Sequence, residues 1–185
     1  MRAALALAAA LLLAACAFWS ERPLFEPHEA AAPFADGARF TWIPEREQGR
    51  EEVVYRRVGA EYEIAQIDHA DDPPIRALFI AVPSTPEDDY IVQAKLGYSE
   101  DTRAIAFMWP IEGGHRFIVA PRALGSISRE RLDALCRPQP SGECRFESRE
   151  QVLAVYEEII YPLFVASEAT PADYIDQIAQ PAEAK

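Results

Sequence analysis

Two lysines stand against sixteen arginines in this 185-residue chain, histidine, cysteine and methionine are about as scarce, and there are eight glycines. Three histidines, at 28, 69 and 115, leave no HExxH pair and too few ligands for a histidine-rich metal centre. Three cysteines with no CxxC spacing leave out a thioredoxin-like redox pair. Eight glycines supply no phosphate-cradling loop, and Gly125-Ser126-Ile127-Ser128 runs into Arg129 where a nucleophile elbow needs glycine. Basic residues number 18 against 30 acidic ones, a net charge of −12. Such a surface is repelled by nucleic acid and by anionic headgroups, so neither is an expected partner. The excess of arginine over lysine, with abundant alanine, reflects a GC-rich coding bias rather than a guanidinium-based site. Half the chain is apolar and a tenth aromatic, which excludes wholesale disorder.

No apolar run reaches the roughly 20 residues of a membrane-spanning helix. The longest, Ala and Leu from 3 to 15, follows Arg2 and gives way to Ser20-Glu21-Arg22-Pro23. One charge followed by a short apolar stretch is the layout of a secretory signal. The run ends in Leu13-Ala14-Ala15-Cys16, which resembles the lipobox of bacterial lipoproteins: a branched apolar residue, two small residues, then cysteine. The resemblance covers residues 1–16. It implies a diacylglycerol thioether on Cys16, cleavage just before it and attachment to a membrane through acyl chains. Several chains, at roughly 0.8 kcal/mol per buried CH₂, make a stable anchor. Ala17, where an aspartate marks retention at the inner membrane in the best-known bacteria of this class, implies the periplasmic face of the outer membrane.

With Cys16 lipidated, Cys136 and Cys144 are the remaining thiols, with seven residues between them. In an exported domain that pair is expected to form a disulfide.

The chain then divides into a signal peptide (1–15), a lipidated cysteine and tether (16–37), one globular domain (38–181) and a frayed tail (182–185). The tether carries Pro23, Pro27 and Pro33 but also Phe18, Trp19, Phe25 and Phe34, unusual for a free linker. Those aromatics belong either against the domain or at the lipid interface. Strand-like stretches fall at 39–43, 52–58, 60–67, 76–82, 89–98, 103–109 and 115–119. Within 89–98, Tyr90, Val92, Ala94, Leu96 and Tyr98 alternate with polar neighbours, and Gly113-Gly114 marks a tight reversal. After residue 121 the period becomes helical. A short helix is expected from 128 to 135, and a second after Ser148, whose Gln151 completes a capping box, with Pro162 ending or kinking it. A third is expected after Thr170-Pro171, carrying Tyr174, Ile175 and Ile178 on one side and closed by Pro181. The expected fold is therefore α+β: an antiparallel meander or small curled barrel of about six or seven strands, followed by two or three C-terminal helices.

No constellation stands out as catalytic, cofactor-binding or metal-binding. His69 with Asp68, Asp71 and Asp72 has metal-ligand elements but reads as a solvated loop. Glu87-Asp88-Asp89 lacks the spaced calcium-loop pattern and reads as a charged turn. His115 reads as a hairpin residue and His28 as exposed. Trp42, Tyr55, Tyr62, Tyr90, Tyr98 and Trp109 fit a core, or else a ligand pocket inside a curved sheet. The functional expectation is a lipid-anchored envelope protein with a non-catalytic binding or assembly domain and an envelope protein partner. The alternatives are a small-barrel carrier of an apolar ligand and, behind it, an envelope hydrolase.

Overall fold

The computed structural model describes residues 18–45, 49–69, 71–83, 88–95, 100–125, 129–139 and 142–180. Eleven strands are present among them: β1 (Phe18–Ser20), β2 (Ala38–Pro44), β3 (Glu51–Val58), β4 (Glu61–Gln66), β5 (Ile75–Ala81), β6 (Tyr90–Lys95), β7 (Arg103–Ile111), β8 (Gly114–Ile118), β9 (Arg137–Pro138), β10 (Cys144–Phe146) and β11 (Ile175–Ala179). After β8 come a 3-10 turn (Pro121–Leu124), a short α1 (Arg129–Leu135) and α2, which begins at Arg149–Val155 and continues as a π-helix over Tyr156–Val165.

Strands β2 to β8 pair antiparallel with their sequence neighbours, and β11 joins β8 to β2. Eight strands thus close an up-and-down barrel with no free edge between its first and last members. The fold is mostly β, which corrects the expected meander with two or three helices. The third expected helix is strand β11. Its Ile175 and Ile178 sit at helical spacing, but closure pairs it with both neighbours along nearly its whole length. A closed up-and-down antiparallel barrel needs an even strand count, and β11 supplies the eighth. Pro162 does not end α2. The segment carrying it runs on to Val165 in the wider π geometry, held by Ile159, Ile160 and Phe164 against the barrel.

The period-2 pattern of the strands sorts their side chains into two cores. Phe40, Val53, Tyr55, Tyr62, Ile64, Ala77, Phe79, Tyr90, Val92, Met108 and Phe117 point into the lumen. Their alternates Leu78, Ile80, Ile91, Ile105, Phe107, Trp109 and Ile118 point outward, where Val152, Val155, Tyr156, Ile159 and Ile160 of α2 cover them. Both faces of β5 to β8 are therefore buried, which explains why 76–82 reads as a continuous apolar run. Ser148 caps α2 by accepting from the Gln151 backbone N–H at 3.4 Å. The Gln151 side chain accepts from Glu147 N rather than from Ser148, so the box is shifted by one residue. Tyr156 donates its hydroxyl to Asp89, tying α2 to the start of β6.

Residues 18–37 are built into the same body. Strand β1 pairs parallel with β10 and antiparallel with the start of β7, and Phe18 is fully buried between Phe107 and Phe146. Next, the Gln93 side chain, outward-facing on β6, accepts from Leu24 N (2.7 Å) and Phe25 N (3.1 Å) and donates to Phe25 O (3.0 Å). Glu29 pairs with Arg149 of α2. Beyond it, β5 outruns β4, and Ala31 N takes the carbonyl of Phe79 at 2.7 Å. The chain then turns into the barrel mouth. Cys136 and Cys144 form a disulfide with Cα atoms 5.7 Å apart, joining the end of α1 to β10 beside β1.

Candidate functional site

The lumen is the most distinctive environment in the molecule, because one of its central residues does not come from its wall. Phe34 enters from the segment before β2 and is 7% exposed. Its ring meets Phe40 (5.0 Å), Tyr55 (4.9 Å), Tyr62 (5.9 Å), Phe79 (5.3 Å) and His115 (5.4 Å), all edge-to-face. The Tyr62 hydroxyl fixes the backbone of this residue twice, donating to Phe34 O (2.6 Å) and accepting from Phe34 N (3.2 Å). An eight-stranded barrel encloses just enough room for its own side chains or for one small guest. Here the guest position is filled by the protein itself.

Side chains able to hydrogen-bond run obliquely across the lumen in a single row. The strand register sets His115, Gln177, Trp42 and Glu51 opposite one another on β8, β11, β2 and β3 in turn. Gln177 is fully buried. Its Oε1 accepts from the Tyr55 hydroxyl and from Trp42 Nε1 at 3.2 Å. Its Nε2 has no hydrogen-bond partner among the described residues, and neither does the buried Nδ1 of His115. Burial pushes the Tyr55 phenol far above its ordinary value, so it stays a neutral donor. Burial also holds the His115 imidazole below its ordinary value, against an opposing pull from Asp88 at the mouth. At the far end of the lumen, Gln66 Nε2 donates to Glu51 at 2.7 Å.

Close approach of the backbone places Gln177 there. A Cβ on Gly114 would lie 1.9 Å from the Gln177 carbonyl oxygen, so only glycine lets β8 pack against β11 at this point. On the outer side of the same two strands, Arg116 grips Asp176 with two bonds (Nε to Oδ1 2.6 Å, Nη2 to Oδ2 2.8 Å) and lies 4.0 Å from the Tyr174 ring centre. That carboxylate raises the Arg116 pKa further.

The residues singled out in the sequence fall into separate places. Trp42, Tyr55, Tyr62 and Tyr90 line the lumen with His115, whereas Trp109 faces outward and stacks on Phe164 (6.4 Å). Asp89 is not part of a charged turn; it is 2% exposed and bonded to Tyr156. Asp68, Asp71 and Asp72 are exposed near half-buried His69, and no group of three metal-capable residues occurs among the described residues. His28 is exposed. Cys16, Glu87, Leu96, Tyr98, Ser126 and Ser128 lie outside the described residues. Gln177 and Phe34 escaped sequence reasoning as lumen residues. The even-strand requirement was the one available signal for β11, and Gln177 comes with it.

Outside the barrel, an open groove of about 510 Å³ runs between the β7–β8 hairpin and the end of α2. Trp109, Pro110, Ile111 and Phe164 form its apolar floor, with Glu112, Arg116 and Glu168 at its edges. No helix among the described residues is long and apolar enough to cross a membrane. Comparison with protein-family models, curated proteins and solved structures found no match to this chain.

Proposed function

We propose that this protein is a bacterial envelope lipoprotein, anchored by acyl chains on Cys16 at the periplasmic face of the outer membrane, whose barrel binds a small apolar guest. The observation that carries the binding reading is Phe34: a ring supplied from outside the wall occupies the lumen among five other rings. A lumen that accepts one foreign ring has the shape and chemistry to accept another apolar body once residues 30–36 swing aside. The exchange replaces like with like, so apolar burial changes little and the cost is that of moving the segment. The anchoring reading is supported by Leu13-Ala14-Ala15-Cys16 and its flanks. The Cys136–Cys144 bridge is of the kind found in oxidising compartments.

Native mass spectrometry of the protein recovered from cell envelopes tests the binding reading. A reproducible apolar adduct, lost on organic extraction and regained on adding the extract back, is the expected result. Absence of any adduct, with no uptake of an apolar fluorophore by the wild type, would overturn it. Palmitate labelling tests the anchor: Cys16→Ser should abolish incorporation. A second reading, assembly with another envelope protein, is favoured by the groove beside Trp109 and Phe164. Charge reversal at Glu168 should weaken an in-cell crosslink if that groove holds a partner.

A further inference from the structure

The lumen's two unmatched nitrogens specify what the guest must carry. Among the described residues, Gln177 Nε2 is a fully buried donor without an acceptor and His115 Nδ1 is buried without a partner. A buried polar group left unmet gives up its bond to water and gains nothing in return. His115 and Gln177 stand directly opposite in the β8–β11 register, and both side chains share the lumen face. Side chains so placed have Cβ atoms roughly 4.5–5.5 Å apart, close enough for one small group to touch both. The other half of the Gln177 amide is already committed, since Oε1 holds Tyr55 and Trp42. That commitment fixes which way round the amide sits and leaves a donor, not an acceptor, toward any newcomer. Around this polar pair the walls are aromatic and aliphatic.

We infer that the barrel lumen is a site for an apolar molecule ending in a carboxyl or carbonyl group, whose oxygen accepts from Gln177 Nε2 while His115 Nδ1 holds the same group from the opposite strand. The inference rests on the lumen-binding reading above. An imidazole can carry its proton on either nitrogen. Nδ1–H therefore donates to a carboxylate or carbonyl oxygen, whereas the bare Nδ1 accepts from a protonated acid. An amine end fits neither arrangement with Gln177, because an ammonium brings only donors to a donor. Phe34 takes up the space of the guest's apolar body in the closed form, and its edge contact with His115 leaves the imidazole nitrogen unmet.

The test compares octanoic acid with octylamine, equal in chain length and opposite in end-group chemistry, on residues 16–185 carrying Cys16→Ser, by titration calorimetry. Octanoic acid is expected to bind at least about tenfold more tightly, equivalent to about 1.4 kcal/mol. Gln177→Glu keeps two acceptor oxygens for Tyr55 and Trp42, and at pH 9, where even a buried carboxyl ionises and octylamine is still an ammonium, it deletes the donor and adds a negative charge. It is expected to reverse the preference toward octylamine while the protein stays folded by circular dichroism. His115→Phe, which keeps the ring, is expected to weaken octanoic acid selectively. Equal binding of the two amphiphiles, or an unchanged preference in Gln177→Glu, would overturn the end-group assignment and leave the lumen reading standing. An ordered water only, bridging Gln177 and His115 and retained with octanoic acid bound elsewhere, would overturn it too. Binding of neither amphiphile, even to Phe34→Ala, would overturn the lumen reading itself.

Discussion

Removing the Phe34 ring is the most direct perturbation of the barrel interior. The ring is almost wholly buried and touches five aromatic partners at centroid separations of 4.9–5.9 Å. Phe→Ala changes in closed cores cost about 3–5 kcal/mol, and edge-to-face pairs add to simple area burial. The barrel wall is hydrogen-bonded all round and cannot collapse inward to fill the gap, which places Phe34→Ala toward the upper part of that range. For a domain of this size each kcal/mol lowers Tm by roughly 2–4 °C, so a loss of about 4–5 kcal/mol means a fall of roughly 8–20 °C. Urea unfolding at pH 7, followed by tyrosine and tryptophan fluorescence with the disulfide intact, gives the free energy. Phe34→Leu should recover part of the loss. Tyr62→Phe, which frees the Phe34 backbone, should lose less energy in the Phe34→Ala background than in the wild type. A loss below about 1 kcal/mol for Phe34→Ala would refute the seating of this ring in the lumen.

Three further outcomes follow from other parts of the molecule. Gly114→Ala forces a Cβ to within 1.9 Å of the Gln177 carbonyl, so it should cost about 3 kcal/mol or more in urea unfolding, while Gly49→Ala, with nothing within 4 Å, should change stability by less than about 0.5 kcal/mol. Opening Cys136–Cys144 by Cys→Ser substitution at both positions should cost roughly 2.5 kcal/mol by loop closure, read as a lower urea midpoint with a slope equal or slightly steeper as the freed unfolded chain exposes more surface. Burial holds the folded His115 pKa below 6.5, so the unfolded chain binds more protons as pH falls. Stability should therefore decline as pH drops below about 6.5 and level off beneath the folded value, and His115→Gln should flatten that slope in a melting series from pH 8 to pH 5.

Much of the wall was legible because its strands obey a simple alternation. In 89–98 the lumen residues Tyr90, Val92 and Ala94 follow the expected phase, and Gly113-Gly114 falls at the β7–β8 reversal. The start of α2 was also legible, since a serine cap and an apolar stripe are local signals. Strand β11 was not, for a physical reason. Its lumen face carries Ile175, Gln177 and Ala179 and its outer face Asp176 and Ile178, so neither face is uniformly apolar. The polarity that hides it is the same buried amide that gives the lumen its chemistry. Phe34 stands out in the sequence as an aromatic in a proline-broken stretch, but only closure of the wall shows what it enters. His115 looked like a hairpin residue and is one; its inward direction depends on pairing with a strand sixty residues later.

The burial of Phe18 in β1 has a consequence for reach. With acyl chains on Cys16, a single residue, Ala17, would separate the anchor from a residue locked in the sheet. Two Cα–Cα steps span about 7 Å at most. The anchored barrel would then have almost no leash: it could spin and drift in the plane of the leaflet but could not extend across the periplasm. Encounters would take place in two dimensions, and any guest would arrive from the lipid phase or from a partner confined to the same membrane surface.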